Sequence, residues 1–231
     1  MEKHVIIDMG HGGMINGIYQ TPGKRSPKWK DLPQLFEGVQ NREIGEIVKQ
    51  KLNPLGIGFT DIVNSQKDVS RPVRIQRADA CYSLHPNTVG ISIHADGACY
   101  KYIDKACTIR YDNDPQKKVN VFYYKEEDHP ASGFSIYSSK GETKSDLLAE
   151  TTIESLELNF GTSVKWRFDK TDGDKDKEEN FDMVALTKAP FILCELGFMT
   201  NRAECEFMHT LDFKEKCADA LVKGVLKYYD L

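Results

Sequence analysis

The sequence has no large excess of either charge. Thirty-one lysines and arginines face 35 aspartates and glutamates, for a formal net charge of -4 and a pI near 5.9. No global basic field exists to hold nucleic acid or an anionic membrane surface, so neither is an expected partner. No hydrophobic run approaches the roughly 18 to 20 residues of a membrane span, and a soluble chain is expected. Residues 1 to 8 lack the charged segment, apolar stretch and small-residue cleavage site of an export signal. Cysteine is sparse, six in 231 residues, and no pair has the C-x-x-C spacing, which argues against a zinc ribbon. The thiols are expected to be free and mostly buried. Internal repeats and low-complexity tracts are also absent.

The remaining composition, 40% hydrophobic and 29% charged over 231 residues, suffices for one sizeable core and fits a single α/β domain spanning 1–231. His4-Val-Ile-Ile-Asp8 reads as a buried strand that stops at Gly10-His-Gly-Gly13. Residues 16 to 35 have no sustained period and read as a long loop. Ile44, Ile47, Val48 and Leu52 fall at helical spacing after Glu37, and Asn53-Pro54-Leu-Gly56 supplies the stop. A strand over 57–65 and a helix over Ser70–Leu84 follow, then a strand at Val89-Gly-Ile-Ser-Ile-His94. Residues 98–129 look like an insertion, 133–137 like a strand, and Thr143–Asn159 like an amphipathic helix. Asp172, Asp174 and Asp176 imitate a calcium loop, but Lys177 stands where the sharp turn needs glycine and Met183 where the closing glutamate belongs. A solvated loop without calcium is expected there. Pro190-Phe-Ile-Leu-Cys-Glu195 is a buried strand, followed by helical pattern from about Ala203 to Tyr229.

Three strands therefore deliver His11, His94 and Glu195 to their carboxyl ends, the side on which open α/β sheets bind ligands. A catalytic zinc takes three protein ligands and keeps one open position, and two histidines with one glutamate form a common set; His11, Glu37 and His94 meet it. The metal makes a hydroxide-like nucleophile available near neutral pH, and a further carboxylate, for which Glu195 is the candidate, must move the proton. Each residue alone also has a plainer reading. The histidines suit hydrogen-bonded strand ends, Glu37 suits the first turn of a helix, and Glu195 suits a buried ion pair. Residue chemistry by itself points as far as a metal hydrolase.

Four blocks carry a more specific resemblance: Asp8-Met-Gly-His-Gly-Gly13, Glu37-Gly-Val-Gln-Asn-Arg42, Ser92-Ile-His-Ala95 and Glu195-Leu-Gly-Phe-Met-Thr-Asn201. In that order they resemble the zinc N-acetylmuramoyl-L-alanine amidases of the amidase 3 type, over residues 5 to 201 and in the C-terminal helix pattern. The resemblance implies a twisted, mixed, mostly parallel sheet with helices on both faces. It also implies Zn2+ on His11, Glu37 and His94 and Glu195 as catalytic carboxylate; Asp8 suits either the orienting of a ligand histidine or its loop, or a satisfied strand-end carboxylate. The implied substrate is peptidoglycan, cut between N-acetylmuramic acid and L-alanine, with a monomer favoured. Such an enzyme reaches the wall either after release from the cytoplasm, as an endolysin does, or after export with a leader since removed. Met9 replaces the usual proline, Asp96 follows Ala95 where asparagine is usual, Val63-Asn-Ser-Gln-Lys-Asp68 matches loosely, and 98–129 has no counterpart. The alternatives are a silent peptidoglycan-binding or amidase-activating protein, and a zinc peptidase or amidase for another acylated peptide.

Overall fold

A computed structural model describes residues 2–98, 101–108, 118–124, 128–171 and 173–231. The first half runs β1 (His4–Met9), β2 (Met14–Ile15), β3 (Ile18–Tyr19), α1 (Glu37–Leu52), β4 (Gly58–Asp61), α2 (Arg71–Leu84) and β5 (Thr88–Asp96). It continues with β6 (Lys101–Thr108), β7 (Lys118–Tyr124), β8 (Phe134–Ser138), α3 (Lys144–Phe160), β9 (Lys177–Glu178), α4 (Asp182–Ala185), β10 (Phe191–Phe198), α5 (Arg202–Met208) and α6 (Leu211–Tyr228).

Six strands form one sheet in the order β4-β1-β5-β10-β8-β9. The four strands β4, β1, β5 and β10 are mutually parallel; β8 is antiparallel to β10, and β9 is parallel to β8. Every residue of β1 is buried, as a parallel strand covered on both faces requires. Alternation along β1 separates the two layers. Gly45 of α1 packs so closely on Ile7 and Met9 that a Cβ there would collide with the Met9 side chain. Arg74 of α2 instead reaches Asp8 on the opposite face. Helix α6 packs between α1 and α3, and Ile44, Val48, Leu148, Phe213 and Leu221 lie within the core.

Local chemistry sets the boundaries. Helix α1 begins at Glu37 and gives way to a 3-10 turn at Asn53–Leu55, closed by Gly56 at φ 67°. Thr143 and Asp146 form a reciprocal capping box at the start of α3. The helical pattern of 203–229 is two helices, because the Thr210 side chain accepts the Phe213 amide and starts α6 anew. The strand expected over 57–65 is confined to Gly58–Asp61, and the loop expected over 16–35 contains β3, which closes a short hairpin with β2. Within the expected insertion at 98–129, β6 and β7 pair with each other in a separate sheet; 99–100, 109–117 and 125–127 lie outside the described residues. Cys81, Cys194, Cys205 and Cys217 are free and buried, in keeping with the expected thiols. Of the calcium-like triad, Asp172 lies outside the described residues, whereas Asp176 is buried, and burial pushes its carboxyl up to about 7.

Candidate active site

The site forms where β1, α1 and β5 meet. Past Met9 the chain turns through Gly10, His11, Gly12 and Gly13, with His11 held at φ 64°, a left-handed conformation uncommon for a side-chain-bearing residue. Two glycines are obligatory for close approach. A Cβ on Gly10 would run into the His94 ring, and one on Gly38 would run into the Gly12 carbonyl. The loop therefore lies directly on the first turn of α1, which presents Glu37.

This packing brings His11, Glu37 and His94 together, with one potential ligand atom from each all within 4.8 Å of one another. His11 Nε2 lies 3.1 Å from Glu37 Oε1, and His94 Nδ1 lies 3.0 Å from the same oxygen. The imidazole rings stand edge to face, 5.1 Å between centres. Glu37 is 1% exposed. Glu37 Oε2 and Glu195 Oε2 are buried without hydrogen-bond partners among the described residues, and the buried His11 Nε2 faces Glu37. Buried polar atoms are ordinarily satisfied, so two unpartnered carboxylate oxygens at a site that also gathers two imidazoles fit a metal ion.

Ionisation favours the same fit. Burial pushes the His11 imidazole down against the pull of Glu37, which leaves a free lone pair. Burial opposes charge on Glu37, but His11, Lys24 and its hydrogen bonds outweigh it and hold the carboxylate well below its usual range. At His94 the Glu37 hydrogen bond and the charges of Glu195 and Glu37 overcome burial and raise the imidazole, so a metal would compete with a proton there. Glu195 sits in register with His94 on the neighbouring strand. Burial pushes its carboxyl up to about 8, reinforced by Glu37 and Asp96 and opposed by His94 and Lys24.

Asp8 hydrogen-bonds to neither histidine. Its carboxylate accepts from Arg74 Nη1 at 2.6 Å and from Ser92 Oγ at 2.6 Å. Arg74 also donates to Asp68 and to the Met9 and His11 carbonyls, so Asp8 meets the loop through a guanidinium. Arg42 donates to the His11 carbonyl at 2.9 Å, Asn41 to the Gly10 carbonyl, and Thr21 to Asp68. The Lys24 carbonyl accepts the Glu37 amide, and its side chain carries a positive charge that bears on both Glu37 and Glu195. Sequence reasoning assigned no part to Lys24, Asp68 or Arg74. Arg42 stood within a quoted block, but nothing in its spacing announced a bond to the histidine loop.

A family model described as N-acetylmuramoyl-L-alanine amidase matches residues 5–227. The chain belongs to this amidase family. Within the family, N-acetylmuramoyl-L-alanine amidase AmiA of Escherichia coli (strain K12) is 23% identical over 239 residues, covering 99% of this chain and 76% of AmiA. Protein YqiI of Bacillus subtilis (strain 168) is 37% identical over 54 residues, 23% of this chain; that match spans only 26% of YqiI. The crystal structure of an N-acetylmuramoyl-L-alanine amidase from Clostridium difficile 630 shares the fold, with a TM-score of 0.71 at 22% identity, covering 99% of this chain and 97% of that one.

Proposed function

We propose that this chain is a zinc-dependent N-acetylmuramoyl-L-alanine amidase that cleaves the amide joining N-acetylmuramic acid to the peptide stem of peptidoglycan. The supporting observation is the convergence of His11, Glu37 and His94, with Glu195 in register beside His94 and with Glu37 Oε2 and Glu195 Oε2 buried and unpartnered among the described residues. His11, Glu37 and His94 would hold the zinc ion, which when bound supplies Lewis acidity to the scissile carbonyl and to a water molecule.

The protein's own groups then move the proton. Glu195 accepts a proton from the attacking water and donates it to the departing amine nitrogen as the C–N bond breaks, leaving a muramoyl carboxylate and a free stem amine. Burial pushes its carboxyl up from the ordinary range, which suits a group that must both take and return a proton. Arg42, Asn41 and Arg74 grip the backbone on both sides of His11 and fix its imidazole. Asp8 takes part by orienting Arg74 and so the loop.

The test is digestion of purified cell wall by protein of measured metal content. One zinc per chain, release of peptides with a new free amino terminus, abolition by chelator and restoration by zinc are the expected results. Zinc-free protein that releases peptides despite chelator would overturn the metal reading, and release of sugars alone would overturn the bond assignment.

A further inference from the structure

Residues in register on neighbouring strands share a face of the sheet, as do alternate residues along one strand. Glu195 is in register with His94 on one side and Ser135 on the other, and Leu193 is in register with Ser92 and Tyr137. Tyr137 is in turn in register with Lys177 on the last strand. The catalytic face therefore continues past Glu195 through Tyr137 to Lys177, away from the part covered by α2.

Arg167 borders the same strip. Its amide donates to the Phe134 carbonyl at 2.9 Å, and its exposed guanidinium lies over the Phe198 ring, 5.0 Å from the centre. Lys177 Nζ lies 5.6 Å from the Tyr137 ring centre. Neither cation forms an ion pair among the described residues. Burial and the Arg167 charge both push the Lys177 ammonium down, so the two positive charges stand close enough to repel. The Tyr137 phenol, pushed up by burial, remains a hydrogen-bond donor and feels the charges of Asp96, Glu195 and Arg167. Asp96, Asp169 and Glu179 pull on the Lys177 charge and Glu204 feels Arg167, but none forms an ion pair with either cation among the described residues, so two like charges beside a phenol match an anion reaching in from the substrate.

We propose that Arg167, Lys177 and Tyr137 form a subsite for a carboxylate on the peptide stem, setting a preference for acidic over amidated stems. The assignment rests on the amidase reading, since a peptide on the amine side of the scissile bond is the part that carries free carboxylates. A planar guanidinium takes a carboxylate through two parallel hydrogen bonds, and the ammonium adds a point charge. Both interactions exist before and after bond cleavage, so they act on substrate binding and not on the chemical step.

The experiment uses the zinc-loaded full chain and paired synthetic muramoyl peptides, one with free stem carboxylates and one with the same groups amidated. Wild type is expected to show a KM about tenfold lower for the acid, with similar kcat. In Arg167→Gln with Lys177→Gln the acid KM should rise to the amide value, the amide KM should stay put, and the sensitivity of the acid KM to salt should disappear. Lys177→Gln alone should give part of the effect, and it keeps the test decisive if uncovering Phe198 in Arg167→Gln lowers the melting temperature. Equal wild-type KM for acid and amide, or variants that retain the wild-type preference, would overturn the subsite. A zinc-loaded wild type that hydrolyses neither peptide nor cell wall would instead overturn the amidase reading beneath it.

Discussion

Glu195 and Glu37 are both buried carboxyls within one site, yet their surroundings drive them in opposite directions. Glu37 has two imidazoles and Lys24 around it and stays ionised. Glu195 is pushed up to about 8 by burial, with Glu37 and Asp96 adding to the rise against His94 and Lys24. That divergence separates a ligand from a proton carrier and gives a sharp test. Glu195→Gln keeps volume and hydrogen bonding but cannot take a proton, so turnover should fall roughly 100-fold or more with zinc content unchanged. A zinc-replete, folded Glu195→Gln enzyme with wild-type turnover would remove this residue from the mechanism. His94→Ala, by contrast, should lose zinc and turnover together. These four candidates stood out in the sequence because each sits in one of the four blocks that carry the amidase resemblance. Lys24 and Arg74 were not, since a lysine in a proline-rich loop and an arginine in a helix look like ordinary solvated charge until the fold closes around them.

At the scale of elements, the join between β1 and α2 depends on one guanidinium. Arg74 is ion-paired to Asp8 at 2.6 Å and to Asp68 at 3.2 Å, all three side chains being nearly inaccessible. Arg74→Met would leave two buried carboxylates without their cation, and denaturant unfolding should show a loss of about 3 to 5 kcal/mol. A loss below about 1 kcal/mol would mean that water already reaches the cluster. The long elements were legible from periodicity: α1 starts at Glu37 and α2 ends at Leu84, where the pattern placed them. Two-residue strands such as β9 and the four-residue α4 were not, because so few residues cannot establish a period. The loop before β9 should bind no calcium despite its aspartates. A calcium-dependent rise in melting temperature that Asp176→Asn abolished would show otherwise.

For the whole molecule, the shifted groups combine into a pH dependence whose sign metal should reverse. Without metal, Glu195 at about 8 and Asp176 at about 7 keep protons that the unfolded chain gives up near its ordinary carboxylate range of about 4. Stability therefore falls as pH rises through that interval and levels off above 8. His94, raised by its partners, adds to the fall as pH passes its folded value. His11, lowered by burial, opposes it only below the ordinary imidazole value of about 6.5. Glu37 and Asp8 lose their contributions only as pH drops through their depressed values. The melting temperature of chelated protein should thus decline between pH 6.5 and 8.5, more weakly in Glu195→Gln. Zinc-saturated protein should do the reverse, because binding requires deprotonated ligands and stabilises the state that binds. A chelated protein whose melting temperature rose across that range would contradict the proton assignments.

The order of strands also has a consequence for synthesis. Strand β10 comes late in the chain but takes a central place between β5 and β8. A ribosome that has emitted everything before Phe191 has released His11, Glu37 and His94, but neither the strand that joins the two parts of the sheet nor Glu195. Truncated chains ending there should be hydrolytically inert however much zinc they meet. The proposed hydrolysis therefore waits for residues 191–198, however much of the sheet has formed before them.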